Sequence, residues 1–216
     1  MLPDGGKLKL AAGDGTRLAV ENIDCTPKAR NIPSEGAIVP ARVFKTLRSL
    51  LKDQPGDGEV SITFPGEDYH KIVFSVGHIT FATQVVNEDF PDIYNRVPTE
   101  FAIEVRAYLE PLLSASKQVT PYVGDNGYSV TLSIPANGKT PVDGSNPFEW
   151  SVRECLFAGE SMDGDGAGTA FTGRVSDSTG EGLELNFNID YLMHVLRVLN
   201  TRAVSLWFNG DNKAIV

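Results

Sequence analysis

The sequence predicts an α+β fold: repeated units of strand, helix and strand meander, with antiparallel sheets outside and the helices together on the inner face. Three observations lead there. The run Ile38–Lys52 reads as an extended entry and then a helix amphipathic at about 100° per residue, with Val43, Phe44, Leu47, Leu50 and Leu51 on one side and Arg42, Lys45, Arg48 and Lys52 on the other. Short β-rich runs separated by Gly-containing turns follow it. The helix then recurs: Val43, Leu47, Arg48 and Leu50 match Leu192, Leu196, Arg197 and Leu199 at the same spacing, with Lys45 opposite His194. Helices with one apolar face and strands that need covering pack as layers.

Taken in order, Lys7 to Ala12 alternates like a strand, Gly13-Asp14-Gly15-Thr16 is turn chemistry, and Arg17 to Ile23 returns as a second strand. Thr26 to Gly36, with Pro27 and Pro33, is a loop. Ile38-Val39-Pro40 leads into the basic helix, and proline suits a first helical turn. Glu59–Phe64, Lys71–Val76 and His78–Val86 read as three short strands. Asn87–Pro98 is a polar link, so a boundary near Thr99 divides the chain into 1–98 and 99–216. The pattern then restarts with a strand over Phe101–Val105. A helix over Arg106–Lys117 follows, with Pro111 as a kink or a new first turn. Val119–Val123 and Tyr128–Ile134 are predicted as a hairpin. Residues 137–169 are turn-rich and predicted to leave the sheet, around one possible strand from Phe148 to Phe157. Leu183–Asn188 reads as a strand, Ile189–Leu199 as a helix, and Ala203–Phe208 with Lys213–Val216 as a closing hairpin.

With 28 acidic and 19 basic residues the formal charge is -9, which argues against broad coating of nucleic acid. A local basic surface is still compatible with that sum. Cys25 and Cys155 are far apart and in no ligand spacing, which suggests reduced thiols. The start lacks a basic and apolar signal pattern, and no apolar run reaches membrane-spanning length. These features lead us to expect a soluble cytoplasmic protein.

Positive signs of catalysis or metal binding are missing. Gly164-x-Gly166-x-Gly168 has no strand leading directly into it and no helix after it, so an anion cradle is not expected. Asp163 and Asp165 open like a calcium loop, but Ala167 and Arg174 fill the next and terminal ligand positions. His70, His78 and His194 are scattered, His78 being expected in a strand. No nucleophile elbow occurs. We expect no catalytic residue, no metal and no cofactor.

Four segments carry a family resemblance. Leu8 to Val20, containing Gly13-Asp14-Gly15-Thr16-Arg17-Leu18-Ala19-Val20, resembles the "ATDGHRLAV" segment of the bacterial sliding clamp, the beta subunit of DNA polymerase III. Ile38-Val39-Pro40-Ala41 resembles its "IVPRK" helix start, and Phe90-Pro91-Asp92-Ile93-Tyr94-Asn95-Arg96-Val97 its "FPDYRRV" link with one extra residue. Leu185-Asn186-Phe187-Asn188-Ile189-Asp190-Tyr191-Leu192 resembles its "IGFNVSYLLDVL" helix. The order of the four is that of the family.

The resemblance implies a DNA-clamp fold and a non-enzymatic processivity factor. Its helices would line a hole through which double-stranded DNA passes without sequence readout. Arg42, Lys45, Arg48, Lys52, His194 and Arg197 would then be DNA-binding groups. It also implies a docking pocket for short linear peptides of the DNA polymerase III alpha subunit, the clamp loader and other clamp-binding proteins. Gly15, Thr16, Arg17, Leu18, Pro91, Arg96, Val97 and Tyr191 stand at its matching positions. Thr16 replaces a frequent histidine and Gly13 a frequent threonine, which would alter peptide preference. By the same resemblance, 1–98 would be the second half of the middle clamp domain. Residues 99–216 would be the last domain without its final strand and tail. A first domain, through which the family closes a homodimeric ring, would be absent. The competing expectation is a peptide-binding module of the clamp fold that does not encircle DNA.

Overall fold

The computed structural model describes residues 2–4, 6–26, 36–52, 59–65, 70–90, 97–136, 151–179, 181–209 and 214–215. It contains two compact units, Met1–Tyr94 and Asn95–Val216. Among the described residues no helix is long and apolar enough to cross a membrane.

In the first unit β1 (Leu2–Asp4), β2 (Lys7–Gly13) and β3 (Leu18–Asp24) form an antiparallel sheet in that order. Helix α1 (Ala41–Lys52) precedes β4 (Val60–Thr63), β5 (Lys71–Val76) and β6 (Ile79–Gln84), an antiparallel meander. Alternation along β5 buries Ile72, Phe74 and Val76 completely, and Val43 and Leu47 of α1 close over them. Phe74 stacks on its register partner Phe81 with ring centroids 5.3 Å apart. Ile38 bridges Val86, which ties the chain entering α1 to the chain leaving β6. Two expectations shift. Phe44 stays 37% exposed rather than joining the core, and His78 sits in the β5–β6 turn rather than in a strand.

The second unit holds two strand–helix–meander repeats in one seven-stranded antiparallel sheet. The first runs β7 (Ile103–Tyr108), α2 (Leu109–Val123), β8 (Ser129–Ile134), β9 (Ser151–Glu160) and β10 (Gly166–Asp177). The second runs β11 (Leu183–Asn188), α3 (Ile189–Leu196), β12 (Ala203–Phe208) and β13 (Ala214–Ile215). The strand order is β11-β8-β9-β10-β7-β12-β13, so the repeats join where β11 meets β8 and β12 meets β7. Leu112, Val119 and Val123 of α2 and Ile189 and Leu196 of α3 pack into a core with Val105, Val130, Leu132 and Phe157. Phe157 meets Phe171 at 5.0 Å and Phe187 at 6.1 Å between centroids.

Three expectations for this unit are corrected. Val119–Val123 is the end of α2, not a strand. Leu112, Ala115, Ser116, Val119 and Val123 recur at helical spacing on one buried face, and that burial outweighs the β propensity of Val and Thr. Pro111 falls in the first turn of α2, where its missing N–H breaks no helical bond, and Arg106 to Tyr108 belong to β7. Finally, Ser151 to Thr169 does not leave the sheet. β9 and β10 form a long hairpin in register from Ser151↔Val175 to Glu160↔Gly166, around a turn in which the Ser161 N–H donates to the Asp165 carbonyl. Residues 137–150 of the expected excursion lie outside the described residues.

Candidate nucleic-acid interface

The α1 backbone starts directly after Pro40, whose carbonyl accepts the Val43 N–H at 2.9 Å. With Val43 and Leu47 buried, geometry turns Arg42, Lys45, Arg48 and Lys52 outward, and all four are exposed. No acidic residue lies in the first turn, and none of the four cations forms an ion pair among the described residues. The N-terminal end of that row opposes folding. Arg42 lies at the positive end of the helix dipole, where a cation is unfavourable by about 0.3–1 kcal/mol. Like charges three or four residues apart add a few tenths each. Lys52 lies in the last turn, at the favourable end of the dipole, so only the earlier part of the row works against the helix.

On α3, Leu192 and Leu196 are buried as Val43 and Leu47 are, and Arg197 is exposed as Arg48 is. His194 differs from the α1 cations: its Nε2 lies 3.6 Å from the Asp190 carboxylate one turn earlier, so its charge is locally countered when protonated. Asn188 caps this helix, its side-chain oxygen accepting the Asp190 and Tyr191 N–H groups at 2.9 and 3.3 Å. Lys117, exposed on α2, is a cation the sequence reading passed over. Reading Val119–Val123 as a strand placed Lys117 at a helix end instead of within a helical face.

The peptide-docking candidates lie on both units. Gly15 (φ +89) permits the tight turn between β2 and β3. Asp14 holds that turn: one carboxylate oxygen accepts the Thr16 and Arg17 N–H groups at 3.1 and 2.8 Å, the other accepts Arg17 Nε at 2.9 Å. Leu18 follows at the start of β3 and is 37% exposed. On the second unit Val97 is half-buried and Tyr191 exposed at the start of α3. Pro91 and Arg96 lie outside the described residues.

The Arg17 backbone N–H, then its guanidinium, then the Thr16 N–H hold the Asp14 carboxyl at about 2, below its ordinary 3.8. The folded value is depressed, so the turn's carboxylate contacts are complete above the ordinary value and are lost as pH falls through about 2. Arg17→Ala is expected to move the Asp14 midpoint upward but not to 3.8, because both backbone donors remain. A carboxyl-detected NMR titration reads both midpoints, and an unchanged midpoint in Arg17→Ala would remove the guanidinium from this account.

Among the described residues no cluster of three or more His, Cys, Asp or Glu could hold a metal. Cys25 is exposed and Cys155 buried, and burial pushes the Cys155 thiol up to about 11, away from nucleophilic use.

Comparison with known proteins bears on the same segments. Residues 2–92 match the family profile of the DNA polymerase III beta subunit, central domain. The beta sliding clamp of Pseudomonas aeruginosa is 27% identical over 214 residues, spanning 98% of this chain and 50% of that protein. That of Synechococcus elongatus is 25% identical over 219 residues, spanning 99% and 51%. The chain is thus similar to bacterial beta sliding clamps along nearly all of its own length. The chain spans about half the length of the curated relatives it matches. Its fold is that of solved clamps: the Pseudomonas aeruginosa DNA polymerase III subunit beta superposes with a TM-score of 0.79 at 24% identity, covering 98% of this chain and 51% of that one. A sliding clamp from the same organism, solved bound to griselimycin, gives 0.74 at 25% identity, with the same coverage.

Proposed function

We propose that this chain is a non-enzymatic part of a DNA sliding clamp, a cytoplasmic processivity factor that holds DNA polymerase III on duplex DNA. The cationic face of α1 carries this reading, because four exposed cations with no acidic partner among the described residues make a surface for the phosphate backbone. Arg42, Lys45, Arg48 and Lys52, with Arg197 and His194 from the second unit, attract phosphates without reading sequence. Weak, mobile contacts suit a protein that slides. Gly15, Thr16, Arg17, Leu18, Pro91, Arg96, Val97 and Tyr191 serve docking of linear peptides from the polymerase alpha subunit, the clamp loader and other partners. Leu18 and Val97 offer apolar surface for a peptide anchor, while Arg17 fixes polar ends.

The test is retention on nicked circular duplex, alone and with clamp loader, before and after linearisation, beside titration with a labelled clamp-binding peptide. Retention that linearisation releases supports the clamp. Peptide binding with no DNA retention replaces it with an interaction module of the same fold, and failure of both removes the reading.

A further inference from the structure

The second unit contains a groove that shares only Arg197 with the duplex reading and no residue with the peptide reading. Lys117, Thr120 and Pro121 of α2 and its C-cap Gly124 form one stripe, Met193 of α3 and its C-cap Arg197 face it, and Tyr128 closes one end, around a cavity of about 260 Å³. Its floor is apolar, with Met193 buried and its sulfur accepting the Thr120 hydroxyl at 3.4 Å and an Arg197 N–H at 3.8 Å. Two cations line it, and neither Lys117 nor Arg197 forms an ion pair among the described residues. In a chain of net charge -9, two such cations on one small groove specify an anionic occupant.

Tyr128 supplies the second observation. It has φ +59, the left-handed region that a bulky residue rarely adopts, directly after Gly127 at φ +64. The conformation is over-determined: the Tyr128 N–H donates to the Val123 carbonyl at 2.8 Å, its carbonyl accepts the Ile189 N–H at 2.9 Å, and Asn188 Nδ2 donates to the Gly127 carbonyl at 2.9 Å. Glycine would meet these backbone demands without strain. What tyrosine adds is a 38% exposed ring beside Gly124, where a side chain on residue 124 would reach within 3.7 Å of Tyr128 Cε1. A strained aromatic, an apolar floor and two cations combine stacking with phosphate attraction, the means by which single strands are held without sequence preference.

We propose that the α2–α3 groove binds one nucleotide of single-stranded DNA, with the base on the Tyr128 ring and Met193 and the phosphate between Lys117 and Arg197. The inference stands on the second unit alone and goes beyond duplex tracking. The probe is a fluorescein-labelled oligothymidylate of roughly 12 nucleotides, within the span of known single-strand sites, followed by anisotropy with the full chain. Tyr128→Gly keeps the backbone conformation and removes the ring, so affinity is expected to fall on the order of tenfold while Tyr128→Phe retains it. Lys117→Ala with Arg197→Ala is expected to flatten the log affinity against log salt slope by about 0.7, the value for the one phosphate held on a single strand.

An abasic strand of equal length should bind more weakly than oligothymidylate. Equal binding shows charge alone and overturns the proposal, as does a Tyr128→Gly variant that is folded by circular dichroism and binds as the parent does. Competition by a polyglutamate peptide at concentrations matching the oligonucleotide assigns the groove to acidic polypeptides and also overturns it. Loss of duplex retention with oligothymidylate binding intact removes the clamp reading and leaves the groove. The converse pattern removes the groove alone.

Discussion

Reversing Arg42, Lys45 and Arg48 to Glu together is expected to weaken duplex binding by roughly 100-fold or more at low salt. It should also lower the slope of log affinity against log salt by about 2.7, at about 0.9 per phosphate neutralised. Three attractions become three repulsions on a single exposed face. Stability should not suffer. Glu in place of Arg42 in the first turn answers the helix dipole instead of opposing it, a gain of about 0.3–1 kcal/mol. Peptide affinity should be unchanged, because no peptide-docking candidate lies on α1. Anisotropy with a labelled duplex, a salt series and a thermal melt separate the readings. A variant that loses duplex and peptide binding together, or melts early, would make the cationic row structural.

Asp177→Ala is expected to destabilise the second unit by about 3–5 kcal/mol, the range for breaking a buried pair from one side. Asp177 is 5% exposed, and its two carboxylate oxygens accept from several donors. The Thr179 N–H and hydroxyl lie at 3.0 and 2.7 Å, the Gly182 N–H at 3.0 Å and Arg153 Nη1 at 3.2 Å. Together they fix the turn from β10 to β11 against the exit of β8, where Arg153 also donates to the Pro135 carbonyl at 2.8 Å. Gly182 has φ +76 and is packed so closely that a Cβ would lie 2.7 Å from the Ala136 nitrogen, so the turn cannot relax there. Among the described residues Arg153 Nη2 is already buried without a partner, and losing Asp177 leaves its charge uncompensated. Arg153→Met should be milder, because the turn donors still hold Asp177. Urea denaturation followed by Trp fluorescence measures both. An Asp177→Ala variant within about 1 kcal/mol of the parent, the range of an ordinary surface change, would show that the turn does not depend on this carboxylate.

The α1 and α3 helices were legible because apolar period and polar face agree. Val43 and Leu47, like Leu192 and Leu196, are buried where a 3.6-residue repeat puts them. The alternating runs of β5, β8 and β12 were legible for the same reason. Sequence reasoning failed where the local signal favoured the wrong element. Val119-Thr120-Pro121-Tyr122-Val123 is β-branched and interrupted by proline, a pattern that locally argues against helix. Only the sheet beneath α2, through Val105, Val130 and Phe157, makes its helical face worth burying. Glycines at 164, 166 and 168 read as loop, yet β10 starts among them because β9 supplies its hydrogen-bond partners.

By itself the sequence determined the α+β class, the repeat of helix and meander, the cationic row on α1 and the likeness to clamp segments. Each is written in periods of two or 3.6 residues or in short contiguous motifs. The tertiary structure decided the length of α2, the β9–β10 hairpin, the left-handed Tyr128 and the groove it walls. Those depend on groups distant in sequence meeting at a few ångströms, where burial and long-range hydrogen bonding outweigh the preferences of neighbouring residues.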